Sequence, residues 1–486
     1  MSSLEDSLRN KTVKGVGWSF ADSILGQGIT FLVGLVLARL LTPDEYGLIG
    51  IITIFITVLN SIVDSGFSNA LIRKQHTTQA DYNTVFITNM VFSILMFVLL
   101  FFAAPAIATF FKRPELVNLT RVMGLVVIFN ALSIVQNTIL TKRLDFKTKT
   151  KASLISAVVS GIIGIGMAIK GFGVWSLVGQ SLSRQLLNSC CLWFFNRWWP
   201  QLKFSLSSFK EMWSFGWKLL VSKLIDTIWK ELYQVVVGKF YSPATLGQYT
   251  RGKQFAQILS ANITSVVQRV SFPTLSEIQD DKTRLVNAYR KIIRTTMFVT
   301  TSLMFALAGV AHPFIYCLVG PQWDQAASFL PLICISMSLY PLHAINLNML
   351  QVQGRSDLFL KLEIIKKAIA VVPILLGIFL NIYWMLIGTI ISGIISFFLN
   401  SYYSGKMIGY SSLDQLKDIL PFYGIGLLVA VSVYFFRYLP LSNYIVLAIQ
   451  ILTGIIVFVG ICFVFKVNEY QDLKQILLQY MSKIKR

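Results

Sequence analysis

The sequence predicts an all-α polytopic membrane protein with about 14 transmembrane helices: two six-helix bundles related by a pseudo-two-fold axis along the membrane normal, plus two extra C-terminal helices. Three observations lead there. The 486 residues are 55% hydrophobic and only 13% charged, with a mean hydropathy of +0.65, which leaves too few charges to cover a water-soluble surface. Apolar runs long enough to cross a bilayer recur along the whole chain. A set of turn and helix features also returns about 200 positions later.

The polar stretch Met1 to Lys14 leads into an apolar run from Gly15 to Leu41, too long for a signal-peptide core, so the first span is expected to be retained. Spans follow at roughly 15–40, 46–72, 83–110, 116–141, 152–169, 172–196, 212–238, 245–274, 295–319, 325–352, 368–382, 383–405, 419–436 and 443–465. With the amino terminus inside, the cytoplasmic side receives 29 Lys and Arg and the outer side 7. The positive-inside rule is therefore obeyed, which predicts a bacterial inner-membrane protein with both termini cytoplasmic. The tail after Lys466, with Leu473, Ile476, Leu477 and Tyr480 at helical spacing, reads as an amphipathic interfacial helix. The net charge of +21 does not point to nucleic acid, because no basic soluble domain with interleaved aromatics is present to bind it. Five cysteines without metal spacing give no disulfide framework.

Gly17, Trp18, Thr42, Pro43 and Gly47 return as Gly216, Trp217, Ser242, Pro243 and Gly247, with the proline and last glycine each displaced by 200 positions. Arg143-Leu144-Asp145 is echoed by Arg355-Ser356-Asp357, and Trp175 to Gly179 by Trp384 to Gly388, in the same order. Spans 1–6 and 7–12 thus read as two copies. Each holds an even number of spans, so both keep one orientation, a transporter arrangement with the substrate path between halves. The expected domains are 1–204, 205–410, 411–466 for the two added spans, and 467–486 for the tail. The turns have a local reading as well. Thr42 caps a helix that has Pro43 at its first position and Asp44 and Glu45 against its dipole, and Ser242-Pro243 starts another in the same way.

Charge inside the spans is unevenly placed. Seven cations (Arg184, Lys218, Lys223, Lys230, Arg251, Lys253 and Arg269) all fall in spans 6, 7 and 8, and four acids (Asp22, Asp64, Asp226 and Glu231) in spans 1, 2 and 7. An intramembrane charge is costly and usually faces a hydrated path. Lys223, Asp226 and Lys230 share one helix face by i, i+3, i+7 spacing, while Lys218 sits near a span end, where it snorkels. Arg251, Gln254, Asn262, Ser265 and Arg269 form a second polar stripe, interrupted by Ile258.

The run Ala38 to Gly50 (ARLLTPDEYGLIG), introduced by Gly15-Val-Gly-Trp18 and followed by Asp64-Ser-Gly-Phe67, resembles the amino-terminal signature of Wzx-type polysaccharide-transport flippases, nearest the colanic acid exporter branch. The likeness extends through all fourteen spans, and the two-bundle plan is shared with multidrug extruders and lipid II flippases of the same superfamily. What the resemblance implies is alternating-access transfer of an undecaprenyl-pyrophosphate-linked repeat unit from the cytoplasmic to the outer leaflet, for capsule, exopolysaccharide or O-antigen biosynthesis. The expected partners are the lipid-linked oligosaccharide, membrane lipids, and the polysaccharide polymerase and assembly machinery. No cofactor is expected beyond a coupling proton or sodium ion.

In that setting Lys223, Lys230, Arg251, Lys253, Arg184 and Arg269 are candidates to attract the pyrophosphate. The competing account has Asp226 neutralising Lys230 and Lys223 within one helix. Asp22 and Asp64 lie 21 residues on either side of Pro43, at similar depth in a hairpin, and three roles are open to them: coupling acids, caps of a hydrogen-bond network within the lobe, or partners of a cation in span 7 or 8. Arg143 with Asp145, and Arg355 with Asp357, are either a gate or loop staples. A small-cation extruder would want an acidic cavity, against the cationic excess here. An enzyme would want catalytic groups, yet His76, His312 and His343 show no metal spacing and no nucleotide loop occurs.

Overall fold

In the computed structural model, residues 25–64 and 66–484 are described. Gly17, Trp18 and Asp22 lie outside them, as do the side chains of Ile476, Leu477 and Tyr480. The apolar runs form helices, and no strand occurs among the described residues. α1 (Gln27–Leu40) is followed by α2 (Pro43–Asp64), α3 (Phe67–Arg73), α4 (Gln79–Phe111), α5 (Leu116–Met123), α6 (Leu125–Lys142), α7 (Phe146–Ile169) and α8 (Val174–Asn196). The chain continues through α9 (Leu206–Phe240), α10 (Pro243–Glu277), α11 (Lys282–Gly309), α12 (Ala311–Leu318), α13 (Asp324–Ser338) and α14 (Tyr340–Val352). It ends with α15 (Ser356–Ile369), α16 (Val371–Phe379), α17 (Ile382–Ile408), α18 (Ser412–Tyr434), α19 (Asn443–Val464) and α20 (Asn468–Ile484).

Among the described residues, nine helical runs are long and apolar enough to cross a membrane. The chain is a multi-pass α-helical membrane protein. The long helices α8, α9 and α10 fall outside that set because polar residues are spread along their middles and leave no sufficiently apolar stretch. Length is not what separates them, since α9 and α10 each run for 35 residues.

Two compact units are present, Met1–Gly247 and Gln248–Arg486. In the first, α9 packs on α2, α3 and α4. Its base is an apolar cluster of Phe67, Leu71, Val85, Val135, Ile139 and Met212, with the Phe209 and Trp213 rings stacked 5.9 Å apart. The caps form as the sequence predicts. Thr42 N–H donates to Glu45 Oε2 at 2.7 Å, and Glu45 N–H returns to Thr42 Oγ1. Thr245 N–H donates to Ser242 Oγ at 3.1 Å. Asp44 in the first turn of α2 also takes both Nη groups of Arg113, at 3.0 and 2.7 Å, and that hydrogen-bonded pairing pushes the Arg113 guanidinium further up. Lys142 donates to the Leu71 and Lys74 carbonyls and to Thr77 Oγ1, satisfying acceptors that the end of α3 leaves open.

The second unit builds its core where α11 meets α18 and α13, around Tyr289, Ile293, Met297, Met349, Phe397 and Phe422. At one end of α11 an ionic lattice fixes the tail. Asp418, only 6% exposed, accepts from Arg290 Nε at 2.5 Å, Arg294 Nη1 at 2.9 Å and the Tyr410 hydroxyl at 2.6 Å. Arg294 Nε reaches on to Glu469, and Lys291 pairs with Asp472 at 2.8 Å. The tail helix α20 is therefore docked by salt bridges, with Tyr470 and Leu473 packed against the core.

Candidate functional site

The polar residues of α2, α6 and α9 meet in a cavity of about 480 Å³ within the first unit. Thr57, Asn60, Ser61 and Asp64 line it from α2, Asn130 from α6 and Lys223 from α9. The α2 and α6 groups sit in largely apolar helices, so each needs a partner or water. Asn130 Nδ2 donates to Asn60 Oδ1 at 3.0 Å, and Gln185 Nε2 of α8 donates to Asn130 Oδ1 at 3.1 Å. This amide relay ties three helices together. The Ser61 and Thr227 hydroxyls lie 3.3 Å apart, linking α2 to α9.

One ion pair spans the cavity. Lys223 Nζ donates to Asp64 Oδ2 at 3.0 Å, and Ser68 Oγ donates to Asp64 Oδ1 at 2.6 Å. The lysine side chain is 54% exposed and the aspartate 23%. Between half-open partners the attraction is weak, with the net worth of such a pair at about 0–1 kcal/mol. An incoming anion with more charge than one carboxylate can displace Asp64 from the ammonium. Hydroxyl and amide groups around it offer donors and acceptors of the kind a sugar ring needs.

The other expected residues are placed as follows. Asp226 holds Lys230 at 2.6 Å, one turn along α9, so that acid serves its own helix while Lys223 turns to α2. Glu231 accepts from Gln234. Arg184 is half-buried in α8 and forms no ion pair among the described residues. In the second unit, Arg251 is 4% exposed, with its guanidinium 5.2 Å from the Trp323 ring centre and Nη1 donating to Gln254. Lys253 lies 5.9 Å from the Tyr249 ring centre. Arg269 is exposed and donates back to Ser265.

The loop pairs differ from each other. Arg355 and Asp357 form a two-pronged bridge at 2.8 and 2.7 Å, which holds the exposed Asp357 carboxyl down at about 2. Arg143 instead donates to Asn196 Oδ1, and Asp145 caps α7 through Thr148. Asp22 lies outside the described residues. Among the described residues no group of three or more His, Cys, Asp or Glu is placed to hold a metal ion.

The family described as "Polysaccharide biosynthesis protein" matches residues 36–328. The chain is 28% identical over 330 residues to the succinoglycan biosynthesis transport protein ExoT of Rhizobium meliloti, covering 68% of this chain and 67% of that one. It is 26% identical over 357 residues to the teichuronic acid biosynthesis protein TuaB of Bacillus subtilis, covering 72% and 73%. Among solved structures, the lipid II flippase MurJ in its inward closed conformation superposes with a TM-score of 0.72 over 95% of this chain and 99% of that one, at 16% identity. That likeness is one of fold.

Proposed function

The chain belongs to the polysaccharide biosynthesis protein family, and on that premise we propose that it is a flippase carrying undecaprenyl-pyrophosphate-linked oligosaccharide from the cytoplasmic to the outer leaflet of a bacterial inner membrane. It is a transport protein rather than an enzyme. Both termini lie in the cytoplasm, as the loop charge asymmetry requires, and the product passes to the polysaccharide polymerase and assembly machinery. The observation that carries the reading is the cavity where Lys223 meets Asp64 among amides and hydroxyls.

A pyrophosphate carries at least two negative charges and outcompetes one carboxylate for the Lys223 ammonium. The sugars take the hydrogen bonds of Asn60, Asn130 and Thr57, while the prenyl chain stays in lipid. Asp64, once displaced, is free to accept a proton or a sodium ion, which links substrate binding to an ion gradient. Its return to Lys223 then ejects the anion.

The test is reconstitution of the full chain into vesicles with a fluorescent lipid-linked oligosaccharide whose label is quenched only from outside. Protein-dependent arrival of label at the opposite leaflet, slowed in Lys223→Ala at equal protein content, is the expected result. Arrival at the rate of protein-free vesicles overturns the proposal.

A further inference from the structure

A second polar cavity, of about 440 Å³, lies in the unit Gln248–Arg486 at the other end of α11 and α18 from the Asp418 lattice. His312 of α12, Ser328 of α13, Tyr383 of α17, Tyr434 of α18 and Arg437 line it. Arg437 sits in a short turn, Phe435–Tyr438, that breaks the helix before α19. The 28 residues of α11 separate the two ends by about 42 Å at 1.5 Å per residue. The lattice is held at Arg294, and from there to the cavity at Gly309 the helix rises about 23 Å, most of a hydrocarbon core of about 30 Å. Exposed Tyr383 and Tyr434 line it, and exposed Phe435 and Tyr438 lie 5.8 and 6.2 Å from the Tyr434 ring, the aromatic composition of an interfacial belt.

The acid nearest this cavity, Asp324, lies outside its lining and is engaged by its own neighbours. His312 Nδ1 is 3.8 Å from Asp324, and the Tyr316 hydroxyl donates to the same carboxylate at 2.5 Å. Among the described residues, Arg437 forms no salt bridge. Its guanidinium is 4.6 Å from the Tyr434 ring centre and 4.8 Å from that of Tyr438. Two rings therefore hold the guanidinium fork in place without using its donors. A guanidinium with no carboxylate in the cavity lining, pre-oriented and sharing that lining with serine and tyrosine hydroxyls, matches a phosphate anion.

We propose that this cavity binds the headgroup of an anionic membrane phospholipid, with Arg437 donating two hydrogen bonds to the phosphodiester oxygens and the Ser328 and Tyr383 hydroxyls reaching the glycerol. A phosphodiester carries the one negative charge that Arg437 balances, whereas a pyrophosphate would bring more. The acyl chains lie in the bilayer beside the exposed Phe379 and Leu380. The site is separate from the cavity around Lys223 and does not depend on what the protein transports.

The experiment is native mass spectrometry of the full chain purified from mixed vesicles of phosphatidylglycerol and phosphatidylcholine. Wild type retains phosphatidylglycerol with about tenfold preference, as a charge-assisted phosphate contact supports. Arg437→Gln loses that preference, and so does Ser328→Leu, which fills the cavity and leaves the guanidinium in place, each at an unchanged melting temperature. Equal retention of the lipid by wild type and both variants overturns the proposal. Displacement of phosphatidylglycerol by equimolar undecaprenyl phosphate overturns the phospholipid assignment, and displacement by millimolar inorganic phosphate reduces the cavity to a general anion site.

Discussion

Gly47 lies so close to Pro243 that a Cβ added to the glycine would sit 1.7 Å from the proline carbonyl oxygen. The relation is reciprocal, since a Cβ on Gly247 would sit 2.0 Å from the carbonyl oxygen of Pro43. The first turns of α2 and α10 thus touch backbone to backbone, each glycine receiving the proline of the other repeat. No side chain stands between them to give way. Gly47→Ala or Gly247→Ala therefore forces the turns apart. Cysteines at Asp44 and Ala244 should join through a short-to-medium linker in the parent protein, stop glycan export while joined, and lose most of that joining when either glycine becomes alanine. Undiminished joining in both alanine variants would show that the contact is not what holds the turns together.

Lys223→Ala should lower glycan export about tenfold at unchanged membrane abundance, the loss expected for one charge-assisted hydrogen bond to phosphate. Lys223→Arg should be milder. Export at the parent level from a Lys223→Ala/Arg251→Ala double variant would remove both cations from the transport path.

Asp64→Asn keeps the shape of the side chain and abolishes its titration. Because Lys223 is more than half exposed, its loss of a partner costs little folding stability, at most about 1 kcal/mol. With Asp64 as the coupling acid proposed above, transport by the variant should be insensitive to proton and sodium gradients. Full gradient dependence in Asp64→Asn would leave this acid a pairing role alone.

Asp418→Asn should be the most destabilising of the single substitutions considered, by about 3 kcal/mol, because two arginines and a tyrosine converge on a buried carboxylate. The melting temperature should fall, and α20 should become sensitive to protease at the Glu469 end. Asp472→Asn, whose partner Lys291 is largely exposed, should change neither measurement appreciably.

The turn at Arg355 and Asp357 has a pH dependence of known sign. Its carboxyl is held at about 2, below the value near 4 of an unpaired aspartate. The bridge therefore contributes fully above pH about 4 and is lost as pH falls toward 2. Hydrogen exchange of residues 354–358 should stay level from pH 7 down to about 4, after correction for intrinsic rates, and rise below it.

Much of this was legible in the sequence because it is local. Apolar run lengths located the helices, Thr42 and Ser242 announced their caps, and Asp226 with Lys230 four residues on identified an ion pair within α9. What escaped the sequence depends on approaches between distant parts of the chain. Asp64 and Lys223 are 159 residues apart; the sequence offered Asp64 as a partner for some cation of span 7 or 8, but periodicity within one helix did not single out Lys223 or rank Asp64 above Asp226. The amide relay from Asn60 to Gln185 left a signal, since each member stands alone in an apolar stretch, but not the identity of its neighbours. Asp145 looked like a partner for Arg143 two residues away and proved to be a helix cap. The Asp418 lattice was overlooked because its cations lie where a loop was expected to face water.

The lattice also has a consequence for how the protein is made. Arg294 is synthesised 175 residues before Glu469 and 124 before Asp418, so at about 5–20 residues per second it waits roughly 10–35 s for Glu469. Until Asp418 is made, 124 residues after Arg294 and roughly 6–25 s later at the same rate, the leading end of α11 carries Arg290, Lys291 and Arg294 without their acids. Naked positive charge is what keeps a segment from being pulled across the membrane during insertion. Neutralisation by α18 and then α20 comes only after the intervening helices have been made, so the same three side chains first serve as a positive flank for α11 and later become the fastening for α20.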